Sequence, residues 1–378
     1  MGETTDRNDG ITPWHSGRTR RINERALWDA LRTAGPTSRA QLARRSGLSK
    51  PTVSSALATL ERAALVRPVG THVPEGRGRV AVLYEADPTA GHVVGVDIGT
   101  GTLRVALADL AATVVHRRDV PNRARTGATL ARLVIDTVRD TVAAGGLDLG
   151  RIDRICVGTP GVYDSDRDRI RYAVNLPGWG RPGVLATLRA DLGDAVELHN
   201  DANLAALAEY SSGVGAGSRL FLYLWIGAGL GMGIVADGRL FLGAGRAAGE
   251  IGFLPTATPP DAGEATEHGV LEDTVSARSV VRTGRALGMP APLTARDVFD
   301  AARAGAEPAL TAVRREAAQL AHVVATVSAV LDPDVVALGG TIGANADLLL
   351  EPVRRALRAL TPLRPRVLAG TLPDAVLH

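Results

Sequence analysis

The sequence predicts an α/β protein in which an N-terminal winged helix-turn-helix precedes a larger body made of two related lobes. Three observations carry this prediction. Short helical patterns with turn glycines and many basic residues follow one another over residues 18–87. Strands alternate with helices over residues 92–378, as in α/β proteins. One pattern of strand, glycine turn and strand occurs twice in that body, which indicates a duplicated fold.

The length and composition are those of a globular chain with more than one domain. At 378 residues the chain exceeds one ordinary core, so we expect two or three domains. The single cysteine, Cys156, excludes an intramolecular disulfide and a multi-cysteine zinc site. No stretch is long and apolar enough to span a membrane. Residues 1–17 are polar without an apolar signal core, so we expect a disordered lead-in and a cytoplasmic protein.

Charge is distributed unevenly along the chain. The formal net charge is only +3, yet residues 18–79 hold 13 Lys or Arg against 4 Asp or Glu. A basic head on a mildly acidic body favours a polyanionic partner for the head alone. A solvated basic face is the alternative interpretation of the same count.

Three short helices are predicted in the head. The first, "INERALWDALRTAG", ends at Gly35 and places five apolar residues on one face: Ile22, Ala26, Leu27, Ala30 and Leu31. In the second, "TSRAQLARRSGLS", Ser38 and Gln41 have the spacing of a capping box, and Gly47 supplies a left-handed stop. Ser49 caps the third helix, "KPTVSSALATLERAAL", and its proline stands in the first turn, where no amide donor is lost.

Two helices joined by a tight glycine turn, the second small, polar and basic at its start, are typical of a DNA-binding helix-turn-helix. The third helix would present its N-terminal side chains to base edges, while the basic residues neutralise phosphates and make affinity salt-dependent. The predicted DNA-binding residues of the helices are Ser38, Arg39, Arg44, Arg45, Ser49, Lys50, Thr52, Ser54 and Ser55. A generic three-helix cap is the structural alternative.

A wing follows these helices. "VRPVG" and "RVAVLYEAD" have the composition of two strands, and "THVPEGRGR" joins them. Arg77 and Arg79 lie in this glycine-flanked loop, and arginines of that kind enter narrow minor grooves. The alternative is a soluble linker. We therefore predict a DNA-binding domain over residues 18–87.

The body contains two copies of one local design. "VVGVDIGTGTLRVALADLAATVVHR" reads as strand, glycine turn, strand, Ala-Asp turn and strand, and "LYLWIGAGLGMGIVADGRLFLG" repeats that order. Glycine turns allow close approach of phosphates, so the duplication predicts two related lobes around a cleft. Between and after these copies lie helical patterns, a strand, turn and loop at "RICVGTPGVYD", and a buried strand at "VVALGG".

The chain resembles the ROK family (repressor, open reading frame, kinase), in the subgroup of the xylose and N-acetylglucosamine repressors. The resemblance runs from about residue 20 to the C-terminus. Its motifs are "SRAQLARRSGLSKPTVS", "VGTPGVYD", "NLPGW", "NDANLAALAE", "GRLFLGAGRAAGEIG" and "LGG". The resemblance implies an actin-like sugar-kinase fold of two RNase H-like lobes, over residues 92–378, behind the winged helix-turn-helix.

The same resemblance implies a sugar site. In the family's kinases the aspartate of the Asn-Asp pair is the general base, which corresponds to Asp201 beside Asn200. Further sugar contacts of the family correspond to Asn175, Glu250 and Glu272, so the predicted sugar-binding residues are Asn175, Asn200, Asp201, Glu250 and Glu272. We expect the helix N-terminus to keep Asp201 ionised. An ionised carboxylate both activates and recognises a hydroxyl, so Asp201 alone does not separate an enzyme from a sensor.

Two departures from the family pattern concern the cofactors. Members with a structural zinc carry a histidine after "GEIG" and a cysteine cluster, whereas this chain has Phe253 there and no nearby cysteine. His268 alone cannot supply four ligands, so we expect no zinc. The first phosphate loop carries Thr100 in place of a glycine and lacks the following lysine, and the second carries Ala228 in place of threonine. ATP use is therefore disfavoured.

Together these observations predict a sugar-responsive DNA-binding transcriptional regulator, a repressor of carbohydrate metabolism genes, rather than an enzyme. Its partners would be double-stranded operator DNA, a small sugar or sugar derivative, and further copies of the chain in a homodimer or homotetramer, with no membrane. The alternative is an ATP-dependent sugar kinase with Asp201 as general base. A scaffold that uses the head for protein contacts ranks last.

Overall fold

The structure, a computed structural model, describes residues 16–72, 80–255 and 269–377. The chain forms two compact units. Of the described residues, the first unit comprises those up to 92 together with 109–113, and the second comprises 93–108 and those from 114 onward. The predicted lead-in up to residue 15 and the loop arginines Arg77 and Arg79 lie outside the described residues, so those predictions stay predictions.

The first unit combines three helices with a small antiparallel sheet. Its helices are α1 (Ser16–Ala34), α2 (Arg39–Ser46) and α3 (Lys50–Arg62), and its strands are β1 (Thr37–Ser38), β2 (Val66–His72) and β3 (Ala81–Ala86). The strand order is β1-β3-β2, and both pairings are antiparallel. The predicted winged helix-turn-helix is confirmed, although α1 already begins within the segment that the sequence predicted as lead-in.

Local signals set the ends of α2 and α3 as predicted. The Ser38 hydroxyl accepts from the backbone N–H of Gln41, and the Gln41 side chain accepts from the backbone N–H of Ser38, which completes the capping box. Gly47 ends α2 with φ of 68°, in the left-handed region. Ser49 caps α3 by accepting from the backbone N–H of Thr52. Helix α2 thus ends at Gly47 and α3 begins after Ser49, which is the tight turn that the sequence indicated.

The apolar face of α1 is narrower than the sequence predicted. Leu27 and Leu31 are buried against α2, α3 and the sheet, but Ile22 is 60% exposed and Ala26 is exposed too. At 100° per residue the five predicted positions span about half of the helix circumference, and a helix this close to its neighbours buries only part of such an arc. The prediction that Ile22 and Ala26 face the core was therefore wrong.

The second unit alternates strands and helices. Its strands are β4 (His92–Ile98), β5 (Thr102–Asp109), β6 (Val114–Pro121), β7 (Ile152–Thr159), β8 (Val162–Asp164), β9 (Arg169–Arg171), β10 (Val196–Asn200), β11 (Leu220–Ile226), β12 (Leu230–Ala236), β13 (Arg239–Leu240), β14 (Val335–Gly339) and β15 (Arg366–Ala369). Its helices are α4 (Gly127–Ala144), α5 (Val184–Leu192), α6 (Asp201–Ser212), α7 (Ala277–Ala286), α8 (Ala295–Arg303), α9 (Glu307–Leu331), α10 (Gly340–Gly343) and α11 (Ala346–Leu360). The segment after β7, predicted as a loop, instead forms β8, which pairs with β9.

Two five-stranded sheets in this unit have the same topology. The first has the order β10-β7-β4-β5-β6, and the second has the order β13-β12-β11-β14-β15. Each sheet is thus built from an antiparallel three-strand meander with two later strands added on the other side of its first strand. This equivalence confirms the duplication that the two glycine-turn segments predicted. Each sheet has its own core, one with α4 and α5 and the other with α7, α8, α9 and α11.

Helix α6 lies unusually close to β12, and this contact positions the start of α6. A Cβ atom added to Gly233 would lie 2.3 Å from the Ala206 Cβ and 2.5 Å from the Ala202 carbonyl oxygen. Small residues on both elements therefore let the helix backbone approach the strand.

No helix within the described residues is long and apolar enough to cross a membrane.

We expect Gly233→Ala to destabilise the protein by about 1–3 kcal/mol, because the added methyl group must push α6 away from β12. A shift of the urea unfolding midpoint of the second unit would measure this loss. Gly150→Ala is the matched control, since a Cβ at exposed Gly150 meets nothing within 4 Å. Equal midpoints for the two variants would contradict the close-packing argument.

Candidate functional site

A cavity of about 320 Å³ in the second unit is lined by residues that follow strands of both sheets. Its volume lies at the lower end of small-molecule sites. The cavity brings together all five residues predicted for sugar binding, namely Asn175, Asn200, Asp201, Glu250 and Glu272. These residues come from four separate segments of the chain, so only the tertiary structure unites them. Their role in sugar binding stays a prediction.

The start of α6 contributes Asn200 and Asp201. Asn200 is the N-cap: its Oδ1 accepts from the backbone N–H of Asn203 at 3.0 Å, and its Nδ2 donates to the Gly161 carbonyl oxygen at 3.2 Å. Asp201 is therefore the first helical residue and not the cap, and its Oδ1 accepts from the backbone N–H of Ala202 at 2.8 Å. The capping work falls on Asn200, which leaves the Asp201 carboxyl facing the cavity.

Burial, and then the nearby charges of Asp97 and Glu250, raise the pKa of Asp201 to about 7, against the lowering effect of backbone hydrogen bonds. The expectation that the helix N-terminus keeps Asp201 ionised was therefore wrong. The favourable helix end is outweighed because desolvation and two neighbouring carboxylates both disfavour a further negative charge. Near neutral pH the Asp201 carboxyl therefore exchanges between a protonated form, which can donate a hydrogen bond, and an ionised form, which only accepts.

A backbone contact with β12 places Glu250. Gly249 has φ of 96°, and a Cβ atom there would lie 1.8 Å from the Met232 carbonyl oxygen, so only glycine fits. The backbone N–H of Met232 donates to the Gly249 carbonyl oxygen at 2.9 Å. Burial, and then the charge of Glu272, raise the pKa of Glu250 to about 7, while Arg171 opposes the shift.

Glu272 contacts the second glycine turn directly. Its Oε2 accepts from the backbone N–H of Leu230 at 3.1 Å, and its Oε1 accepts from Arg278 at 3.2 Å. The backbone N–H of Glu272 donates to the Gly252 carbonyl oxygen at 3.2 Å. The Glu272 carboxylate therefore already accepts from the Leu230 amide, in a turn whose sequence resembles a phosphate loop.

A buried tryptophan holds the loop that carries Asn175. Trp179 is fully buried, and its Nε1 donates to the Thr159 hydroxyl at 2.9 Å at the end of β7. Leu176 is also buried, and its backbone N–H donates to the Ala173 carbonyl oxygen in a turn. These anchors explain the "NLPGW" motif, because they fix the loop on both sides of the half-buried Asn175.

The first glycine turn brings an ion pair to the cavity wall. Asp97 is 4% exposed and accepts from Arg104 at 2.8 Å. Burial raises the pKa of Asp97 even though Arg104 opposes the shift. Thr100 is exposed and lines the cavity, while a Cβ at Gly99 would lie 2.8 Å from the Thr102 carbonyl oxygen.

Several lining residues were not singled out from the sequence: Arg104, Tyr172, Val174, Trp225 and Thr341. A signal existed for Tyr172, because aromatic residues make up only 3% of the chain and this one stands three positions before Asn175. For Arg104 and Thr341 the sequence offers none, since their place in the cavity depends on strands folding together.

We expect the paired carboxyls to make stability fall as pH rises. The folded-state pKa values of Asp201 and Glu250 are about 7, well above the ordinary values of unfolded carboxyls. The folded protein therefore holds extra protons, and their stabilising contribution is complete below about pH 4 and lost as pH rises through 7, by roughly 2–4 kcal/mol per group.

Urea midpoints measured from pH 5 to pH 8 test this dependence. Asp201→Asn should flatten the decline, because the variant has no proton to lose at that position. Asp194→Asn, at an exposed turn aspartate, is the control and should follow the parent protein. A decline of equal size in both variants would show that other groups cause it.

The head presents most of its predicted DNA-binding residues to solvent. Arg39, Arg44, Arg45, Ser49, Lys50 and Ser55 are exposed, and Thr52 and Ser54 are half-buried on α3. Part of the Arg39 guanidinium is engaged, since it donates to the Tyr84 hydroxyl at 2.5 Å and stacks over that ring. The Ser49 and Thr52 hydroxyls contact each other at 2.8 Å.

Ser38 requires a correction. The residue is 6% exposed, and its hydroxyl lies in the capping box with Gln41. A buried, hydrogen-bonded hydroxyl cannot reach a base or a phosphate. Ser38 therefore sets the position of α2 instead of contacting DNA.

Within the described parts of the chain, no group of three His, Cys, Asp or Glu side chains is arranged to hold a metal ion. Phe253 occupies the position of the family's histidine and supplies no ligand atom, while Cys156 lies in β7 of the first sheet. The residues that the structure describes therefore do not fit the family's zinc. His268 lies outside the described residues, and the expected absence of zinc stays a prediction.

Comparisons with known proteins match both parts of the chain. A family model described as the ROK family matches residues 93–365, and a model described as an IclR helix-turn-helix domain matches residues 26–70. The first match covers most of the second unit, and the second covers the region from α1 to β2. The two matches thus follow the division between head and body that the sequence predicted.

The similar proteins include a kinase, a repressor and the solved structure of a transcriptional regulator. The chain is 31% identical over 294 residues to a glucokinase of Halalkalibacterium halodurans, covering 73% of this chain and 88% of the relative. It is 24% identical over 345 residues to the N-acetylglucosamine repressor of Escherichia coli O157:H7, covering 88% and 83%. A crystal structure of a ROK family transcriptional regulator, a homolog of the E. coli MLC protein, matches with a TM-score of 0.77 and 20% identity over 95% of this chain and 94% of that chain. The predicted fold class is therefore confirmed.

Proposed function

The chain belongs to the ROK family, and from this membership we propose that it is a sugar-responsive DNA-binding transcriptional regulator, a repressor of carbohydrate metabolism genes. One observation carries the proposal: a winged helix-turn-helix and a cavity lined with carboxylates and amides occur in the same chain. A sugar kinase needs the second feature only. The repressor relatives share both regions over most of their length.

The head has the chemistry of an operator-binding module. Helix α3 begins with exposed Lys50, followed by small hydroxyl side chains that form hydrogen bonds with base edges. Exposed Arg44 and Arg45 near the end of α2 add positive charge suited to phosphates. Two such heads in a homodimer or homotetramer would read a pseudo-palindrome with half-sites one DNA turn apart.

The cavity has the chemistry of a sugar site. Amides at Asn175 and Asn200 and carboxyls at Asp201 and Glu250 offer both donors and acceptors, which suits the hydroxyls of a pyranose. We propose that the sugar occupies this cavity and changes operator affinity. That change is bounded by the difference in sugar affinity between the DNA-binding and the released states.

The second candidate is an ATP-dependent sugar kinase with Asp201 as general base. The glucokinase relative favours it, since it is the more identical of the two relatives. Two features of the cavity speak against it: Thr100 projects from the first glycine turn, and Ala228 replaces a hydroxyl in the second. We therefore propose a sensor without turnover, with no zinc and no ATP requirement.

Fluorescence anisotropy of the gene's own upstream DNA tests the regulator. The full-length protein should bind this DNA in a salt-dependent way, and one monosaccharide of a panel should shift the binding curve. Binding to unrelated DNA of the same length is the control for sequence specificity. ATP consumption is measured with each sugar as the control for kinase activity. Sugar-dependent ATP turnover without DNA binding at low salt would instead establish the kinase.

A further inference from the structure

The rim of the cavity is apolar in a way that a site for one polar monosaccharide does not require. Tyr172 and Phe253 both line the cavity, and their side chains are 43% and 44% exposed. Val174, which is 42% exposed, lines it as well. An exposed apolar patch rimmed by polar groups marks a surface that is covered when a ligand or partner binds.

The two aromatic rings form one wall. Their centroids are 5.1 Å apart and their planes are tilted by 55°, a favourable aromatic geometry. The Arg171 guanidinium lies 5.4 Å from the centre of the Tyr172 ring, and it also donates to the Gly245 carbonyl oxygen at 2.7 Å. The Tyr172 ring is thus already contacted by Phe253 and by a cation, so its position does not depend on the ligand.

The backbone at Tyr172 adds an independent observation. Its φ of 63° is left-handed, a conformation that a bulky residue adopts only where the surroundings impose it. Tyr172 stands three residues before Asn175, and Phe253 stands three residues after Glu250. Two of the four segments that bring a predicted sugar contact to the cavity therefore also carry an aromatic ring to its rim.

From this arrangement we propose that the effector is a glycoside and not a free monosaccharide. Its sugar ring occupies the polar part of the cavity near Asp201, and its aglycone lies with a flat, weakly polar face against Tyr172 and Phe253. Such a face is offered by an aryl group or by the C–H side of a second pyranose ring. This inference rests on the proposed sugar-responsive function and specifies its ligand.

Isothermal titration calorimetry of the full chain tests the aglycone contact. The probes are matched methyl and phenyl glycosides of glucose, xylose and N-acetylglucosamine in both anomeric forms, together with cellobiose and maltose. Covering a phenyl-sized apolar surface predicts that a phenyl glycoside or a disaccharide binds about tenfold or more tightly than the corresponding methyl glycoside. A preference for phenyl glycosides alone indicates an aryl source, and one for disaccharides alone indicates a second sugar ring.

Variants separate the ring contact from other causes. Phe253→Ala should reduce the preference to about twofold, whereas Phe253→Tyr keeps the ring and should retain it. Phe241→Ala is the matched control, because Phe241 is 52% exposed and does not line the cavity. A preference that survives in Phe253→Ala would overturn the inference.

The outcomes also distinguish this inference from the proposed function. If methyl glycosides bind and shift operator affinity as strongly as phenyl glycosides and disaccharides, the inference is wrong and the regulator stands. If no sugar or glycoside binds while operator DNA does, the sugar-responsive part of the proposed function fails and the inference fails with it.

Discussion

Replacing Arg44, Arg45 and Lys50 together by alanine is expected to weaken operator binding by about 100-fold or more at 0.15 M salt. All three side chains are exposed, and they lie at the end of α2 and the start of α3, on either side of the turn. Each phosphate contact that is lost also lowers the slope of log affinity against log salt by about one. The triple variant should therefore lose both affinity and about three units of this slope for each head that contacts DNA.

The control for this variant must lose a positive charge outside the head, in the second unit. Arg219→Ala removes an exposed cation from the second unit and should leave the salt slope unchanged. A slope that falls equally in both variants would mean that net charge, and not the head, governs binding. Ser54→Ala provides a second contrast, since a base contact predicts relaxed sequence preference with little change in slope.

At pH 8, above the pKa of about 7 of the Asp201 carboxyl, Asp201→Asn is expected to reduce the affinity for the effector sugar by about 10–100-fold, because a hydrogen bond to a charged acceptor is replaced by a weaker neutral one. The same variant should bind operator DNA normally when sugar is absent. A shift of the sugar concentration needed for the half-maximal DNA response measures the loss. The expected result is a dose–response curve displaced to higher sugar concentration with an unchanged starting level.

Asp237→Asn is the matched control, since Asp237 is a strongly exposed aspartate in the turn between β12 and β13. Its dose–response curve should overlay that of the parent protein. A curve for Asp201→Asn that also overlays the parent would show that this carboxyl does not recognise the sugar. ATP turnover that depends on sugar and disappears in Asp201→Asn would instead support the kinase.

Local sequence determined where α2 ends and where both α2 and α3 begin. The capping box of Ser38 and Gln41, the stop at Gly47 and the cap at Ser49 all depend on neighbours within three residues, so spacing alone predicted them. The two glycine-turn segments likewise predicted the duplicated sheets, because strand and turn signals act over a few residues. The motifs of the family resemblance then predicted which polar residues would meet.

What the sequence could not determine are properties that depend on distant residues. Ile22 has the right spacing for a core position, but which part of the α1 face is buried depends on where α2 and α3 pack. The pKa of Asp201 depends on its burial and on the charges of Asp97 and Glu250, and helix position alone predicted the direction of its shift wrongly. The burial of a carboxyl is a tertiary quantity, and here it outweighs the local effect of the helix end.

The aromatic wall illustrates the same division. Tyr172 and Phe253 come from segments on either side of α5, α6 and four strands, and no periodicity connects them. Sequence comparison identified Phe253 only as a missing histidine. Short-range signals therefore determined which elements form and where they end. The chemistry of the cavity was decided by the tertiary structure, because desolvation, charge proximity and ring contact arise only when separate segments pack together.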